Sequence, residues 1–207
     1  MKVKKGLIII ESALLFVLLI IFTLSFSDFE KGCENIYSNM LRLHVIANSD
    51  SETDQMLKLL VRDEILKTGK EIFDGSINKN NAENKLEAQI GLLEEAAENT
   101  LRSHGCNKKV TVSFEKSYFN TRKYENITVP SGFYDALRVE IGDAKGKNWW
   151  CVMYPPLCLP AVCKSEENAV FSEDGKTVLG SDIKLDVRFK IVEIYQSTKN
   201  YAKKFIK

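Results

Sequence analysis

The spacing of apolar and polar positions separates an apolar N-terminal stretch from a series of amphipathic strands and helices. Residues 6–26 are apolar at nearly every position. Residues 41–48 then alternate, with Leu41 and Leu43 on one side and Arg42 on the other. A period of two residues predicts a half-buried strand here.

Two later stretches carry apolar residues at helical spacing. The first covers 49–73, and Ser51 stands three residues before Asp54, as in a capping box at a helix N-terminus. The second covers 82–105, where the spacing predicts one continuous helix with Gly105 as its C-terminal cap.

Shorter alternating runs predict the remaining strands. They cover 108–117, 133–142 and 148–154. The segment 118–134 is predicted to be irregular, and the loop 143–147 is predicted to join the last two strands as a hairpin.

This order of elements predicts the α+β class: a mostly antiparallel sheet with two or three helices packed on one face, preceded by an N-terminal export segment. The predicted parts are a signal peptide or signal anchor (1–27), a connector (28–40), an α+β domain (41–163), and a polar segment with a C-terminal helix (164–207).

The N-terminal stretch has the features of a membrane-targeting segment. Its basic start, with Lys2, Lys4 and Lys5, favours a cytoplasmic N-terminus, so we expect the rest of the chain to be exported. Small residues before a cut after Ser27 suit a signal peptidase, whereas the length of the apolar run suffices to span a bilayer core of about 30 Å. A cleaved signal and an uncleaved anchor both remain open.

The amino-acid composition excludes only a few classes of function. The chain has 207 residues, 44% of them hydrophobic and 28% charged, with a net charge of +1. A near-neutral chain without a basic stripe gives no indication of nucleic-acid binding. No cofactor is predicted.

Cysteine usage leaves three alternatives for residues 151–158. Of five cysteines, Cys151 and Cys158 flank a Pro-Pro bend that could bring them within disulfide range, and export permits a disulfide. Plain buried thiols are the second alternative, and a catalytic thiol at Cys151 with His44 as its base is the third. The chain has two histidines and no C-x-x-C pair, so no metal site is predicted.

Polar residues cluster at the end of the first predicted strand. The cluster comprises Arg42, His44, Asn48, Asp50 and Asp54, and a catalytic His–Asp pair is conceivable among them. No nucleophile motif accompanies them, so we favour helix capping and surface polarity over catalysis.

The stretch 148–158, NWWCVMYPPLC, combines aromatic residues, cysteines and prolines within a few positions. Strand alternation places Trp149 on one side and Trp150 and Tyr154 on the other, so one tryptophan is expected to face the core. An exposed tryptophan would suit a partner contact, because interface energy concentrates in Trp, Tyr and Arg. Burial of both tryptophans under helices is the alternative.

The two motifs LRLHVIANSDSETDQMLKLLVRDEIL and YENITVPSGFYDALRVEIGDAKGKNWWCVMYPPLC together resemble the stage II sporulation protein R family of endospore-forming Firmicutes. The resemblance covers about 41–159. It implies a signalling protein and not an enzyme, made in the forespore and exported into the space between the two septal membranes. The partner it implies is a membrane aspartic protease of the mother cell, stage II sporulation protein GA, which cleaves the pro-form of sigma factor E.

The resemblance assigns no contact residues. We therefore take the motif residues with suitable chemistry as a hypothetical partner-binding set: Trp149, Trp150, Tyr154, Arg42, His44, Asn48 and Asp50. An exported hydrolase using Cys151 or His44 and a passive septal scaffold are the alternatives.

Overall fold

The computed structural model describes residues 2–76, 78–124, 127–155, 171–180 and 187–205. The helices are α1 (Lys2–Asn39), α2 (Glu52–Phe73), α3 (Lys79–Glu87), α4 (Ile90–Ser103), α5 (Glu173–Leu179) and α6 (Val187–Phe205). The strands are β1 (Leu41–Ile46), β2 (Val110–Phe119), β3 (Arg122–Tyr124), β4 (Ile127–Val129), β5 (Gly132–Ile141) and β6 (Asn148–Tyr154). The α+β class is confirmed.

Four strands form a mixed sheet in the order β2-β5-β1-β6. Strand β1 is parallel to β5 and antiparallel to β6, and β2 is antiparallel to β5. The predicted β5–β6 hairpin is therefore wrong, because β1 lies between the two strands. Their connection crosses the end of β1, where Gly146 and Lys145 donate backbone hydrogen bonds to Ala47 and Asn48 (2.9 and 3.1 Å).

Both faces of the sheet are covered, so the expectation of helices on one face is wrong. The first core packs α2, α3 and α4 on the face that carries Leu43 and Leu137. The second core packs α5, α6 and the end of α1 on the face that carries Ala136 and Val152. All six residues of β1 are buried, which corrects the half-buried strand.

The two predicted helix caps are confirmed, but one of the predicted helices is divided in two. Ser51 caps α2 by accepting a hydrogen bond from the amide of Asp54. Gly105 has φ of 75° after α4, and the next amide, Cys106, donates to Leu101 O (3.0 Å), as a C-terminal cap requires. The single helix predicted over 82–105 is instead α3 and α4, because a turn at Ala88 and Gln89 separates them.

The segment predicted to be irregular contains a small hairpin. Strands β3 and β4 pair antiparallel, with Arg122 opposite Val129. Near the end of the chain α6 confirms the favoured helix, and α5 is a short helix that the polar composition did not indicate.

Helix α1 continues through 28–39 without a break. Its apolar side chains from Ile10 to Leu24 are exposed, whereas Phe29, Cys33 and Ile36 are buried in the second core. Among the described residues, this helix near the N-terminus is long and apolar enough to cross a membrane, a property that signal sequences share. It is thus compatible with export.

Candidate partner-binding site

Two side chains on the face of β1 that meets the second core, Arg42 and His44, are at the centre of the candidate site. Arg42 is fully buried between the rings of Phe119 (4.3 Å to the centroid) and Tyr134 (5.1 Å). Its Nε donates to Cys151 O (2.9 Å) and its Nη2 to the Tyr124 hydroxyl (2.8 Å), while Nη1 has no hydrogen-bond partner in the described structure. Burial lowers the pKa of Arg42.

His44 is enclosed in the same way. Trp150 stacks on its ring at 3.8 Å with an angle of 11° between the planes, and the side chain is 4% exposed. Burial, with a contribution from the positive charge of Arg138, lowers the pKa of His44 to about 4. The imidazole is therefore a neutral packing group at physiological pH. The surface polarity expected for Arg42 and His44 is wrong.

The two tryptophans of β6 face opposite ways, as strand alternation predicts. Trp150 packs inward against His44 and edge-on to Phe119 at 4.7 Å. Trp149 is 38% exposed, and the Arg62 guanidinium of α2 lies 4.4 Å from its ring centroid.

Tyr154 departs from this alternation. The register between β1 and β6 shifts at Leu41 and Arg42, and a shift of one residue moves the following side chain to the other face. Tyr154 therefore joins the first core, where its ring meets Phe73 edge-on at 5.6 Å. It is buried and lies on the opposite face from Trp150.

Asn48 and Asp50 hold the loop that precedes β6. The side-chain oxygen of Asn48, Oδ1, accepts from the backbone amide of Asp143 (3.1 Å), and its Nδ2 donates to an Asp54 carboxylate oxygen (2.7 Å). An Asp50 oxygen accepts from the amide of Lys147 (2.7 Å). These polar groups thus fix where β6 begins, and with it the position of Trp149.

Cys151 is disulfide-bonded and 3% exposed. A sulfur in a disulfide offers no thiolate for nucleophilic attack. Cys158, its expected partner, lies outside the described residues, so that pairing stays a prediction. Within the described ranges, no group of three or more His, Cys, Asp or Glu side chains could hold a metal ion.

Comparison with known proteins assigns the chain. The family model described as stage II sporulation protein R matches residues 37–164. The chain belongs to this family. It is also 35% identical over 118 residues to "Stage II sporulation protein R" of Bacillus subtilis (strain 168), a match that covers 57% of this chain and 53% of that protein. The chain thus aligns with about half the length of this relative, and no solved structure matches.

Family membership supports a role in sporulation. The matched range starts within α1 and contains β1 to β6, so Trp149 and Arg42 both lie inside it. The apolar part of α1 and all of α6 lie outside it.

Sequence reasoning overlooked Arg62 as a neighbour of Trp149. Arg62 lies on α2, off the apolar stripe that packs into the core, and its guanidinium lies over the Trp149 ring. No local pattern links the two residues, because their contact depends on how α2 packs against strand β6.

Proposed function

We propose that the chain is an exported intercellular signalling protein of sporulation and not an enzyme. It acts on the membrane-embedded aspartic protease of the mother cell, stage II sporulation protein GA, and thereby leads to processing of pro-sigma-E. Membership of the stage II sporulation protein R family supports the sporulation role, and the apolar helix near the N-terminus is compatible with export.

One observation favours a binding role over a catalytic role. The polar residues that looked most like a catalytic set serve the fold: Arg42 and His44 are buried among aromatic rings, and Asn48 and Asp50 hold a loop. A protein of this kind acts by contact. It would bind the active arrangement of the protease better than the inactive one and so shift that equilibrium.

The proposed location is the intermembrane space, which the protein enters from the forespore. It is either released by a cut after Ser27 or held by the uncleaved apolar part of α1. Mass measurement of the exported protein separates the two, because a species that starts at Asp28 excludes an anchor. Such a species, if it still signals, also excludes a scaffold that works only when anchored.

The test is co-production of this protein, the protease and the sigma-factor precursor in a host that does not sporulate. We expect precursor cleavage to depend on this protein. Cleavage of equal efficiency in its absence would disprove the proposed function.

The hydrolase alternative is tested in the same host. Cys151→Ser and His44→Phe each remove the side chain that a hydrolase would use. We expect cleavage to persist in both variants when the protein remains folded; loss of cleavage with the fold intact would favour the hydrolase.

A further inference from the structure

Helix α6 carries a second row of mostly apolar side chains that the domain does not bury. Its members recur at spacings of four and three residues along the helix: Val187, Ile191, Ile194, Thr198 and Tyr201. Residues three and four apart are neighbours on a helix surface, so the row is continuous. Val187 (68% exposed), Ile194 (58%) and Tyr201 (65%) are its most exposed apolar members. We call these five residues the α6 stripe.

The stripe faces away from the domain. Phe189 and Val192 of the same helix are buried in the second core. At 3.6 residues per turn these two residues lie about 200° and 140° around the helix from Val187. One side of α6 thus serves the fold, and the opposite side is left apolar and exposed. A contiguous exposed apolar surface of this kind marks a contact site more often than scattered apolar residues do.

Helix α6 begins beside the end of the apolar run of α1. Arg188 donates from Nη1 to Ser25 Oγ (3.2 Å), and its guanidinium lies 4.8 Å from the centroid of the Phe29 ring. Phe189 meets the same ring edge-on at 5.0 Å. The apolar run ends at Phe26, and a helix rises about 1.5 Å per residue, so these contacts lie within about 5 Å of its end along the α1 axis.

Further along, α6 stays at the same end of the sheet. The hydroxyls of Ser197 and Tyr118 lie 3.0 Å apart. Tyr118 pairs with Phe133 near the start of β5, and β5 is parallel to β1, whose first residue, Leu41, follows α1 closely. The described contacts of α6 are therefore near the end of the domain where α1 enters, which is the end closest to any membrane that α1 reaches.

The charge of α6 is strongly positive. The helix has a net charge of +4, from five basic residues and one acidic residue: Arg188, Lys190, Lys199, Lys203, Lys204 and Glu193. The acidic residue is already paired, because Glu193 accepts from Lys190 (3.0 Å). Exposed acidic residues follow Phe29 on α1, at Glu30 and Glu34, so attraction to an anionic surface has to come from α6 itself.

This combination fits a lipid surface better than a second copy of the chain. Two α6 helices that met along their stripes would bring together two net charges of +4, which repel each other. A helix that pairs an apolar row with basic residues is typical of helices that lie in the membrane interface. Tyrosine is enriched at the same level of the membrane, and both Tyr195 and Tyr201 are exposed.

From these observations we propose that α6 docks on an anionic lipid surface through the α6 stripe. The proposal goes beyond the proposed function, because it concerns how the domain is held at a membrane and not what the domain does to the protease. In a chain cut after Ser27, α6 would keep the domain at the membrane. In an uncleaved chain, α6 would lie on the lipid surface beside the anchor.

The experiment uses the full chain, reconstituted into vesicles of phosphatidylcholine with or without phosphatidylglycerol. Because α1 is present in every sample, the readout is amide hydrogen exchange within α6, with α4 as the internal reference. We expect exchange in α6 to be about tenfold slower or more in the anionic vesicles, since each basic residue near an anionic surface strengthens binding. Salt of about 500 mM should weaken this protection by screening.

The variants are Ile194→Glu and Tyr201→Glu, which place a negative charge in the stripe at exposed positions. We expect each to return exchange in α6 to the rate in pure phosphatidylcholine. The matched control is Leu92→Glu on α4, a leucine of similar exposure (48%), which should leave the protection of α6 unchanged. Wild-type exchange of the α4 amides in the two α6 variants shows that those variants remain folded.

The outcomes decide the proposal without the protease or the precursor, so its failure would leave the proposed function standing. Equal exchange of α6 in the two kinds of vesicle overturns it, and so does full protection in both stripe variants. Protection that appears in detergent and grows with protein concentration would assign the stripe to a second copy. Protection that requires the co-reconstituted protease would assign it to a protein contact, and either result overturns lipid docking.

Discussion

His44 makes the stability of the domain sensitive to mild acid. Its folded pKa is about 4, while an unfolded histidine titrates near 6.5. Below about pH 6.5 the unfolded chain gains a proton that the folded chain does not, so the free energy of unfolding should fall by up to about 1.4 kcal/mol per pH unit until about pH 4. Burial and Arg138 oppose protonation, and the nearby Glu115 and Glu140 favour it only in part.

Denaturant unfolding of wild type and His44→Phe, followed by tryptophan fluorescence between pH 7 and 4.5, measures this effect. The phenylalanine keeps an aromatic ring under Trp150 and removes the titration, so the variant should lose this part of the slope. Equal slopes in wild type and His44→Phe would contradict the assignment.

Arg42 is a buried cation, and we expect its volume to matter more to the fold than its charge. Its guanidinium fills a space between aromatic rings, and one of its nitrogens, Nη1, makes no hydrogen bond within the described structure. Arg42→Ala should lower the free energy of unfolding by about 3 kcal/mol or more, because it leaves a cavity and removes the donor to the Tyr124 hydroxyl and to the Cys151 carbonyl.

Arg42→Met is the matched variant, because it fills a similar volume without a charge to desolvate. We expect it to cost less than about 1.5 kcal/mol, since apolar replacement of a buried charge is often nearly neutral. Thermal and denaturant unfolding measure both variants. A loss as large as that of Arg42→Ala would show that the charge itself stabilises the fold.

At the scale of elements, the connection between β5 and β6 depends on a close approach of two backbone segments. A Cβ atom on Gly146 would overlap the Ser49 carbonyl and the Ala47 side chain. Gly146→Ala should therefore push the connection off the end of β1 and lower the free energy of unfolding by about 1–3 kcal/mol.

Gly91 in α4 is the opposite case, because a Cβ there meets no atom within 4 Å. Gly91→Ala should stabilise the domain by about 0.5 kcal/mol, since alanine loses less backbone entropy in a helix. Chemical denaturation of both variants tests the pair. If both substitutions raised, or both lowered, the free energy of unfolding, the close contact at Gly146 would not control how the β5–β6 connection crosses the end of β1.

Elements with local causes were predictable from the sequence, and elements with distant causes were not. The Ser51 cap and the Gly105 cap depend on residues within one helical turn, and both are present. The place of β1 between β5 and β6 depends on a pairing between segments about a hundred residues apart, which no local pattern encodes.

The same distinction applies to the candidate site. Alternation along β6 sufficed to place the two tryptophans on opposite faces, but it did not indicate that Trp149 is the exposed one and Trp150 the one that packs inward. The burial of Arg42 depends on rings from Phe119 and Tyr134 on β2 and β5, and the exposure of Trp149 next to Arg62 depends on how α2 crosses the sheet. Such contacts are products of tertiary packing, so a polar residue on an alternating strand is easily mistaken for a surface residue.

At the scale of the whole molecule, α1 joins the apolar segment to the domain without a flexible linker. Phe29 meets Phe189 of α6 edge-on at 5.0 Å, and the Tyr37 hydroxyl donates to Ser131 O (2.7 Å). An uncleaved chain would therefore hold the domain close to the membrane. A chain cut after Ser27 would keep every contact that α1 makes from Phe29 onward.

The last prediction concerns residues 28–40, which the sequence indicates as a connector. Phe29, Ile36 and Met40 are at most 4% exposed, and burial of such side chains contributes about 1.5–3 kcal/mol each. The loss of all three would be comparable with the net stability of a domain, which is roughly 5–15 kcal/mol. A chain that starts at Asp28 should thus unfold cooperatively, whereas a chain that starts at Leu41 should lose cooperative thermal unfolding and near-ultraviolet circular dichroism. Equal stability of the two chains would establish that 28–40 is only a connector. The expected difference in stability would make these residues part of the folded unit. A cut after Ser27, which keeps them, would then be compatible with a stable exported protein.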